Sequence, residues 1–346
     1  MQIQKSIETH WYYKNNPFLN LWLSPFSLLF FLISIIRKTL YRVRIFKSFK
    51  LPVPVVIIGN ISVGGAGKTP LTKYLAQELT NLGFSVGVIL RGYKSQIKGT
   101  HIVLSSDDSK LVGDEALVYA KNNIRVAIGI DRYLAGVTLL KKHPDIQIIL
   151  ADDGLQHYKL QRDYEIAVID STRMLGNRFV LPMGPLREMC CRLKSVNAVV
   201  INGKIPPLND GVGIHTPGLI VEQKLVLEKI FNLKTEGQIT AITQLSNKKI
   251  AAIAAIGNPQ RFFDFLTNLG IKLTQTISFP DHHSYTVADI RSLSKNHDII
   301  LVTEKDSAKL YGAEFKDITN VFVVLVKPLL DNHKLIEQLC NLVKSK

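Results

Sequence analysis

The chain has 346 residues, of which 46% are hydrophobic and 21% charged, so it is long and apolar enough for about two globular domains. Its net charge of +15 favours an anionic membrane surface or a polyanion as a partner. The sequence has no zinc-finger spacing, RNP-type aromatic segment or long Lys/Arg tract, which argues against nucleic acid. Three cysteines, two of them adjacent at Cys190 and Cys191, give neither a disulfide framework nor a metal-ligand spacing, so we expect them to pack in a reducing compartment.

The first element is an uncharged apolar run from Pro17 to Ile36, "PFLNLWLSPFSLLFFLISII". A group of cations without any acid follows it: Arg37, Lys38, Arg42, Arg44, Lys47 and Lys50. Residues rising about 1.5 Å each make this run just long enough for a bilayer core of about 30 Å, but Pro25 is expected to divide it. Because the cations follow the run and no small-residue cleavage site is present, the pattern argues against a cleaved signal peptide.

We therefore predict that residues 1–48 form a membrane-associated segment that stays on the mature chain. The continuation "RKTLYRVRIFKSF" alternates basic with aromatic or aliphatic residues, as interfacial segments do. This favours an interfacial helix on the cytoplasmic leaflet over a single span, and both arrangements leave the cations in the cytosol. A buried core helix would leave those cations unexplained.

The next elements are a short β-branched run, Val55–Ile58, and a helical pattern in "TPLTKYLAQEL", with a glycine-rich turn between them. Glycines at this turn permit positive φ and close backbone approach, which is typical of a phosphate-binding loop beside a helix N-terminus. Lys68 is then expected to reach the outer phosphates, and Thr69 to place its hydroxyl on Mg²⁺. Ser62 occupies the position at which the generic nucleotide-loop pattern has its first glycine. The alternative to a nucleotide-binding loop is a glycine-rich turn that binds no ligand. The predicted nucleotide-binding residues are Ser62, Val63, Gly64, Gly65, Ala66, Gly67, Lys68 and Thr69.

Strand-like runs recur with helices between them: "VVIIG", "SVGVIL", "RVAIGI", "IQIIL", "YEIAVID" and "NAVVI". This alternation predicts an α/β fold of the P-loop NTPase type, with a mainly parallel sheet and helices on both faces. We place this P-loop domain at residues 49–212. A Pro- and Gly-rich segment and stretches that alternate apolar with polar residues then predict an antiparallel connector at 213–247. A smaller C-terminal α/β domain is predicted at 248–346, and we expect it to face the first domain across a cleft.

Acidic residues follow the apolar strand in "IQIILADDG", the usual companion of a phosphate loop. Asp152 is the predicted Mg²⁺ ligand, and Asp153 doubles the negative charge there, which favours a nearby cation. The alternative is an ordinary turn acid after a strand, a pattern that "YEIAVID" repeats at Asp170.

Other candidate side chains are spread along the chain. Asp114 in "VGDEALVYA" begins an apparent helix, where capping is the alternative role, and "FPDHHSY" carries His282 and His283, which are adjacent and therefore unlike a zinc pair. Arg91 and Arg187 follow apolar segments, and either could stabilise a phosphoryl group in transfer, although surface Arg is far commoner.

Taken in order, "GNISVGGAGKTP", "RGY", "GDE", "ADDGLQH", "GNRFVLPMGPLRE", "FPDHH" and "VTEKD" closely resemble the tetraacyldisaccharide 4′-kinase family, the lipid A 4′-kinases of Gram-negative bacteria. The resemblance spans nearly the whole chain, including the basic N-terminal segment. The family's loop resembles a pattern with Ser or Thr in its first position, so Ser62 agrees with it.

The resemblance implies ATP- and Mg²⁺-dependent phosphorylation of the 4′-hydroxyl of an acylated glucosamine disaccharide 1-phosphate, giving lipid IVA at the cytoplasmic face of the inner membrane. By similarity, Asp114 would be the base and His282 its dyad partner. Lys68, Asp153 and Arg187 complete the predicted catalytic residues, and we expect a monomer.

The competing hypothesis is a membrane-associated P-loop GTPase or ATPase switch. "IILVTEKDS" superficially resembles a guanine-reading strand followed by N-K-x-D. Lys305 and Asp306 are adjacent, however, which breaks that spacing.

Overall fold

The computed structural model describes residues 2–14, 16–205, 216, 218–235, 237–239 and 242–345. Its strands are β1 Val55–Gly59, β2 Val86–Leu90, β3 Thr100–Val103, β4 Arg125–Gly129, β5 Ile148–Asp152, β6 Tyr164–Asp170, β7 Ala198–Asn202, β8 Leu219–Asn232, β9 Gln238–Ile239, β10 Ile250–Ala254, β11 Gln275–Ser278, β12 Ile299–Thr303 and β13 Val321–Leu330. Its α-helices are α1 Gln2–Tyr12, α2 Pro17–Arg42, α3 Lys68–Asn81, α4 Ser109–Val112, α5 Asp114–Lys121, α6 Arg132–Lys142, α7 Pro259–Asn268, α8 Val287–Asn296, α9 Glu304–Ser307 and α10 Lys334–Lys344.

The strands form one sheet in the spatial order β11-β10-β12-β13-β8-β7-β6-β1-β5-β2-β4-β3, and β9 pairs with β8. Neighbouring strands are parallel except for β3 with β4, β8 with β13 and β8 with β9. The six apolar runs from "VVIIG" to "NAVVI" are β1, β2, β4, β5, β6 and β7. The predicted mainly parallel α/β sheet is therefore confirmed.

Strand β1 illustrates how this sheet is buried on both faces. Val56 and Ile58 pack into a core cluster that includes residues of α3, α5 and α10. Val55 and Ile57 face the other side and pack into a cluster that includes residues of α6. All residues of β1 are buried, which explains why the run is continuously apolar rather than alternating.

Strand β8 joins the two halves of the sheet. It pairs in parallel with β7 on one edge and antiparallel with β13 on the other, so the sheet continues from the phosphate-loop half into the C-terminal half. The predicted antiparallel connector contains β8 and β9, and its start at residue 213 lies outside the described residues. The division into domains at 49–212, 213–247 and 248–346 stays a prediction.

Helix α2 continues through Pro25, so the prediction that Pro25 divides the apolar run is wrong. A proline at this position leaves the carbonyl of Leu21, four residues earlier, without its helical N–H donor. The hydroxyl of Ser24 donates to that carbonyl at 2.9 Å instead. At the start of the helix, Asn16 caps the free N–H groups and Pro17 occupies the first position.

In the part of the chain that the structure describes, α2 is the helix that is long and apolar enough to cross a membrane. Its most apolar 18 residues have a mean hydropathy of 2.0, and 6% of them are buried. Ser27 is a buried exception, because its hydroxyl donates to Val180 O at 3.1 Å and accepts from Met183 N at 2.9 Å. The helix is thus fastened to the body of the protein along one side only.

Candidate active site

The phosphate loop lies between β1 and α3, where the sequence predicted it. Gly67 has a φ of +88°, and a Cβ there would lie 2.1 Å from Asn202 Nδ2, so this turn requires glycine. Asn202 ends β7, and its Nδ2 donates to Ala66 O at 3.0 Å. Helix α3 begins after Gly67, and none of the described side chains caps it, so its first N–H groups are open to an anion.

The predicted loop residues fall into two groups. Ser62 forms a β-bridge with Leu186, and Val63 N donates to Pro185 O at 2.8 Å. The backbone of these two residues therefore fastens the loop to the segment around Leu186. The remaining six, Gly64–Thr69, line the cavity described below.

Asp152, at the end of β5, is a buried acid beside the loop. Its Oδ2 accepts the hydroxyls of Thr69 at 3.3 Å and Tyr119 at 2.6 Å, while its buried Oδ1 has no hydrogen-bond partner among the described residues. Burial, and to a lesser extent the charge of Glu115, raises the pKa of Asp152 to about 6. A buried carboxylate oxygen without a donor is unfavourable unless a cation meets it, so the residues present fit a bound Mg²⁺.

The neighbouring acid, Asp153, lies among cations. Arg187 Nη1 lies 3.1 and 3.2 Å from its two carboxylate oxygens, and Lys68 Nζ lies 3.4 Å from Oδ1. Burial favours the neutral acid, but Lys68 and Arg187 outweigh it and hold the pKa of Asp153 below its usual value. The buried Arg132 donates to the backbone oxygen of Asp153 at 2.8 Å and fixes this turn. Asp153 therefore arranges two cations at the loop.

Asp114 and His282 are in contact, although they lie on distant elements. His282 Nδ1 lies 3.1 Å from Asp114 Oδ1 and 3.2 Å from Oδ2. Burial opposes ionisation, but the hydrogen bond from His282 and the ammonium groups of Lys305 and Lys309 hold the pKa of Asp114 below its usual value. Asp114 is therefore a carboxylate at neutral pH.

The surroundings of this pair show which of the two adjacent histidines contacts Asp114. They also show whether Asp114 is the cap of α5. His283 lies 3.4 Å from Asp289 and does not contact Asp114. Gly113 is the N-cap of α5, so Asp114 occupies the first helical position rather than the capping one. Asp114 is 6% exposed and lies between Gly113 and Glu115, which line the cavity.

Residues of α9 and the following turn surround the pair with further charges. Lys305 Nζ lies 3.0 Å from Glu115 Oε1, 3.5 Å from Asp281 Oδ1 and 3.3 Å from His282 Nε2. Lys309 Nζ lies 3.5 Å from Asp114 Oδ2. These contacts join the C-terminal half of the sheet to α5.

One cavity of about 1470 Å³ connects these groups. Its lining includes the loop Gly64–Thr69, Arg187, His282 and Lys305, and it extends to Arg37 on α2. Arg91, also singled out from the sequence, lines the same cavity. A substrate held along α2 would therefore reach the phosphate loop without leaving the cavity.

Several polar residues of the site were not singled out as site residues from the sequence. Asn202 carries a usable signal, because it is a polar residue at the carboxyl end of a buried parallel strand. Tyr119, Arg132 and Lys309 carry no comparable signal, since positions in a helix or in a turn do not by themselves show which strand end they meet.

The resemblance of "TEKD" to a guanine-reading motif is not supported. Asp306 is fully buried, and its Oδ2 accepts from Ala255 N at 3.1 Å and from Thr303 Oγ1 at 2.7 Å. Its carboxylate is therefore used to join two parts of the C-terminal half rather than to face a ligand.

Comparisons with known proteins identify the family of this chain. The sequence profile of the family described as tetraacyldisaccharide-1-P 4′-kinase matches residues 19–344. Among curated proteins, the tetraacyldisaccharide 4′-kinase of Haemophilus influenzae is 44% identical over 302 residues, covering 86% of both chains. The corresponding enzyme of Chromobacterium violaceum is 42% identical over 306 residues, covering 88% of this chain and 87% of its own.

A solved structure extends the likeness to three dimensions. The crystal structure of LpxK from Aquifex aeolicus in complex with ATP superposes with a TM-score of 0.74 and 31% identity, covering 92% of this chain and 98% of that one. These matches, together with the loop, the acids and the Asp114–His282 pair, show that this chain belongs to the tetraacyldisaccharide-1-P 4′-kinase family.

Proposed function

We propose that this protein transfers the γ-phosphoryl group of ATP to the 4′-hydroxyl of a tetraacylated glucosamine disaccharide 1-phosphate, which gives lipid IVA for lipid A biosynthesis. The names of the relatives and the ATP bound to the Aquifex enzyme support the reaction and the donor. The observation that carries the proposal is a juxtaposition: a phosphate loop and an Asp–His pair lie beside one cavity. Phosphoryl transfer to a hydroxyl needs a site that holds the nucleotide phosphates and a group that orients the acceptor hydroxyl or takes its proton, and these two features can supply them.

In this proposal, the backbone of Gly64–Thr69 holds the phosphates of ATP at the N-terminus of α3. Lys68 and Arg187 both contact Asp153 and both line the cavity, so both cations are available to stabilise the negative charge of the transferring group. Asp153 is then a positioning residue that keeps the two cations in place.

The residues that would hold Mg²⁺ are Asp152, through its unpartnered Oδ1, and Thr69. A bound Mg²⁺ neutralises phosphate charge during transfer. Among the described residues, no cluster of three or more His, Cys, Asp or Glu side chains forms a metal site. This agrees with a Mg²⁺ that takes most of its ligands from phosphates and water.

For the acceptor, we assign Asp114 as the base that takes the proton of the 4′-hydroxyl, with His282 as its partner. The depressed pKa keeps Asp114 ionised, and the hydrogen bond from His282 Nδ1 orients its carboxylate. The acceptor hydroxyl would approach beside Gly113 and Glu115, since both flank Asp114 and line the cavity.

The substrate's acyl chains determine where the enzyme must work. Extracting them from a bilayer costs about 0.8 kcal/mol per CH₂, so the enzyme has to meet its substrate at the membrane. The exposed apolar surface of α2 and the cations after it suit the cytoplasmic leaflet of the inner membrane. We propose a monomer attached there, without a nucleic-acid partner.

A direct assay tests the proposal. The protein is incubated with γ-labelled ATP and the tetraacyldisaccharide 1-phosphate in detergent micelles, and we expect label at the 4′ position. Lys68→Ala should lose at least about 10²-fold in kcat, because the cation at the phosphates is removed. Lys110→Ala, which removes an exposed lysine paired with Glu314 at 3.6 Å, is the matched control. Unlabelled lipid, or full activity of Lys68→Ala, would contradict the assignment.

A further inference from the structure

The outer nitrogen of His282 faces a cation. Nε2 lies 3.3 Å from Lys305 Nζ, while Nδ1 lies 3.1 Å from Asp114 on the opposite side of the ring. Lys305 also contacts Glu115 at 3.0 Å and Asp281 at 3.5 Å, so its three N–H groups have three acceptors. Lys305, His282 and Asp114 thus form a row of contacts across the site, with one ring nitrogen facing each neighbour.

The donors and acceptors in this chain determine the protonation state of the ring. Burial favours a neutral amine, but Glu115, Asp114 and Asp281 raise the pKa of Lys305 above its usual value, so its ammonium can only donate. The Asp114 carboxylate can only accept. His282 must therefore accept at Nε2 and donate at Nδ1, and a second proton on Nε2 would place two donors and two positive charges 3.3 Å apart.

We infer that Lys305 is a positioning residue that holds His282 neutral, with its single proton on Nδ1 and directed at Asp114. The inference rests on the proposed role of Asp114 as the base. Lys305 would contribute to the reaction through His282 and needs no contact with the reacting atoms.

This arrangement affects how basic Asp114 can be. An imidazolium would place a full positive charge 3.1 Å from the carboxylate, whereas the ammonium of Lys305 lies on the far side of the ring, and charge interactions weaken with distance. A neutral His282 therefore orients the carboxylate while weakening its basicity less than a cation would. A blocked Nε2 also leaves Asp114, rather than His282, as the member of the pair that takes a proton.

Other groups around the ring do not reproduce this effect. Asp281 Oδ1 lies 3.8 Å from Nε2, which is too far for a hydrogen bond, and Tyr93 contacts the ring face with centroids 4.8 Å apart. Lys94 donates to the backbone oxygen of His282 at 3.2 Å, and Lys309 lies 3.5 Å from Asp114. Of these described neighbours, Lys305 is the one cation in contact with Nε2.

The first test observes the ring directly and requires no substrate. Two-bond ¹H–¹⁵N spectra of the full-length protein labelled at its nine histidines distinguish the two neutral tautomers and the imidazolium, with His282→Gln assigning the signal. We expect the wild-type spectrum at neutral pH to show His282 with its proton on Nδ1 and an accepting Nε2. An Nε2–H tautomer or an imidazolium in that spectrum would overturn the inference, even if every variant failed to fold.

The second test changes the cation. Lys305→Met removes the charge and keeps most of the length of the side chain, so a proton on Nε2 no longer meets a cation and Nε2-protonated forms of His282 should appear in the spectrum at neutral pH. Because these forms do not hold the Asp114 carboxylate as the wild-type tautomer does, kcat of this variant should fall by about tenfold while KM for ATP stays as in wild type. Lys305→Arg restores a cation that can only donate and should restore both the spectrum and kcat. An unchanged spectrum in Lys305→Met would refute the inference.

A neighbouring ion pair supplies the control for a merely structural role. Glu304 precedes Lys305 on α9 and contacts Lys73 of α3 at 2.6 Å, without touching the dyad. Glu304→Gln should lower the melting temperature and leave the His282 spectrum as in wild type. Because the spectra are recorded without substrate, failure of the 4′-kinase assay with the expected tautomer would contradict the proposed function and leave this inference standing.

Discussion

At the scale of single residues, the site gives different pKa values to two acids that are adjacent in sequence. Asp152 is buried beside two hydroxyls, and burial raises its pKa to about 6. Asp153 is next to Lys68 and Arg187, which hold its pKa below the usual value. Two consecutive carboxyl groups thus differ in their tendency to ionise because their side chains meet different surroundings.

Asp152→Asn should stabilise the metal-free protein at neutral pH. A carboxyl whose pKa is raised from 3.8 to about 6 binds its proton more tightly in the folded state, so stability is lost as pH rises across that interval. Removing the buried charge should therefore raise the free energy of unfolding near pH 7.5 by on the order of 2 kcal/mol, with the difference shrinking below about pH 4. Denaturant unfolding with a chelator measures this. A variant less stable than wild type at neutral pH would count against the unpartnered charge.

The Asp114–His282 pair makes a second prediction at this scale. Each alanine variant should lose on the order of 10²- to 10⁴-fold in kcat with little change in ATP affinity, as for a lost general base. The double variant should be hardly worse than either single, because residues that act as a unit are non-additive. A structure with the pair already in contact strengthens this expectation. Steady-state kinetics of all three variants provide the measurement.

A residue that caps a helix serves as the control for the Asp114 and His282 variants. Asp108 caps α4 by accepting from Lys110 N at 2.8 Å, so Asp108→Ala should cost about 1 kcal/mol of stability and leave turnover unchanged. Rate losses that multiply in the Asp114/His282 double variant would refute the dyad even if both residues proved important.

At the scale of elements, the two N-terminal helices have different tasks. Helix α1 packs against the active-site loops: Trp11 donates to Pro182 O at 3.0 Å, and the Tyr12 hydroxyl donates to Val63 O at 3.3 Å. Helix α2 is held through Ser27 and leaves most of its apolar surface exposed. Deleting the whole segment would therefore disturb the phosphate loop as well as membrane attachment.

Substituting only the exposed face separates the two tasks. The variant replaces three exposed residues of α2 with serine: Phe18, Trp22 and Phe26, which are 77%, 76% and 61% exposed. It should release the protein from vesicles and raise KM for the lipid more than KM for ATP. Leu82→Ser, which alters an exposed apolar residue at the end of α3, should leave both unchanged. Vesicle flotation and two-substrate kinetics test this. Extraction of the unaltered protein by high salt alone would indicate electrostatic attachment instead.

At the scale of the whole molecule, one sheet carries both sides of the site. The phosphate loop, Asp152 and Asn202 lie at the carboxyl ends of β1, β5 and β7, and α9 follows β12 on the other side of β8 and β13. The relative position of these groups is therefore determined by strand pairing across the β8–β13 junction. Ion pairs from α9 to α3 and α5 then join the two halves directly.

Fragments should reveal where the C-terminal half begins. A fragment of residues 248–346 lacks β8, so it would expose the apolar edge of β13, and we expect it to aggregate or melt without cooperativity. A fragment of residues 218–346 keeps that pairing and should melt more cooperatively. Circular dichroism and calorimetry compare them. Cooperative folding of 248–346 alone would support the boundary predicted from the sequence.

The sequence by itself determined the elements whose signals are local. A continuous apolar run predicts a buried parallel strand, and a Gly-rich turn followed by Lys68 and Thr69 predicts a phosphate loop, because φ, hydrogen bonding and burial within a few residues decide both. The order of the motifs along the chain also indicated the family, by resemblance. Local rules failed at Pro25, where the Ser24 hydroxyl replaces the missing donor and the helix continues.

Only the tertiary structure decided which side chains meet. Asp114 and His282 are 168 residues apart, and Asn202 reaches Ala66 from 136 residues away, so no spacing in the sequence specifies either contact. Lys305 illustrates the same limit, since its place at His282 Nε2 depends on how α9 packs against α5. Such contacts arise from the pairing order of one long sheet, and pairing between distant strands is a property of the whole fold rather than of any segment.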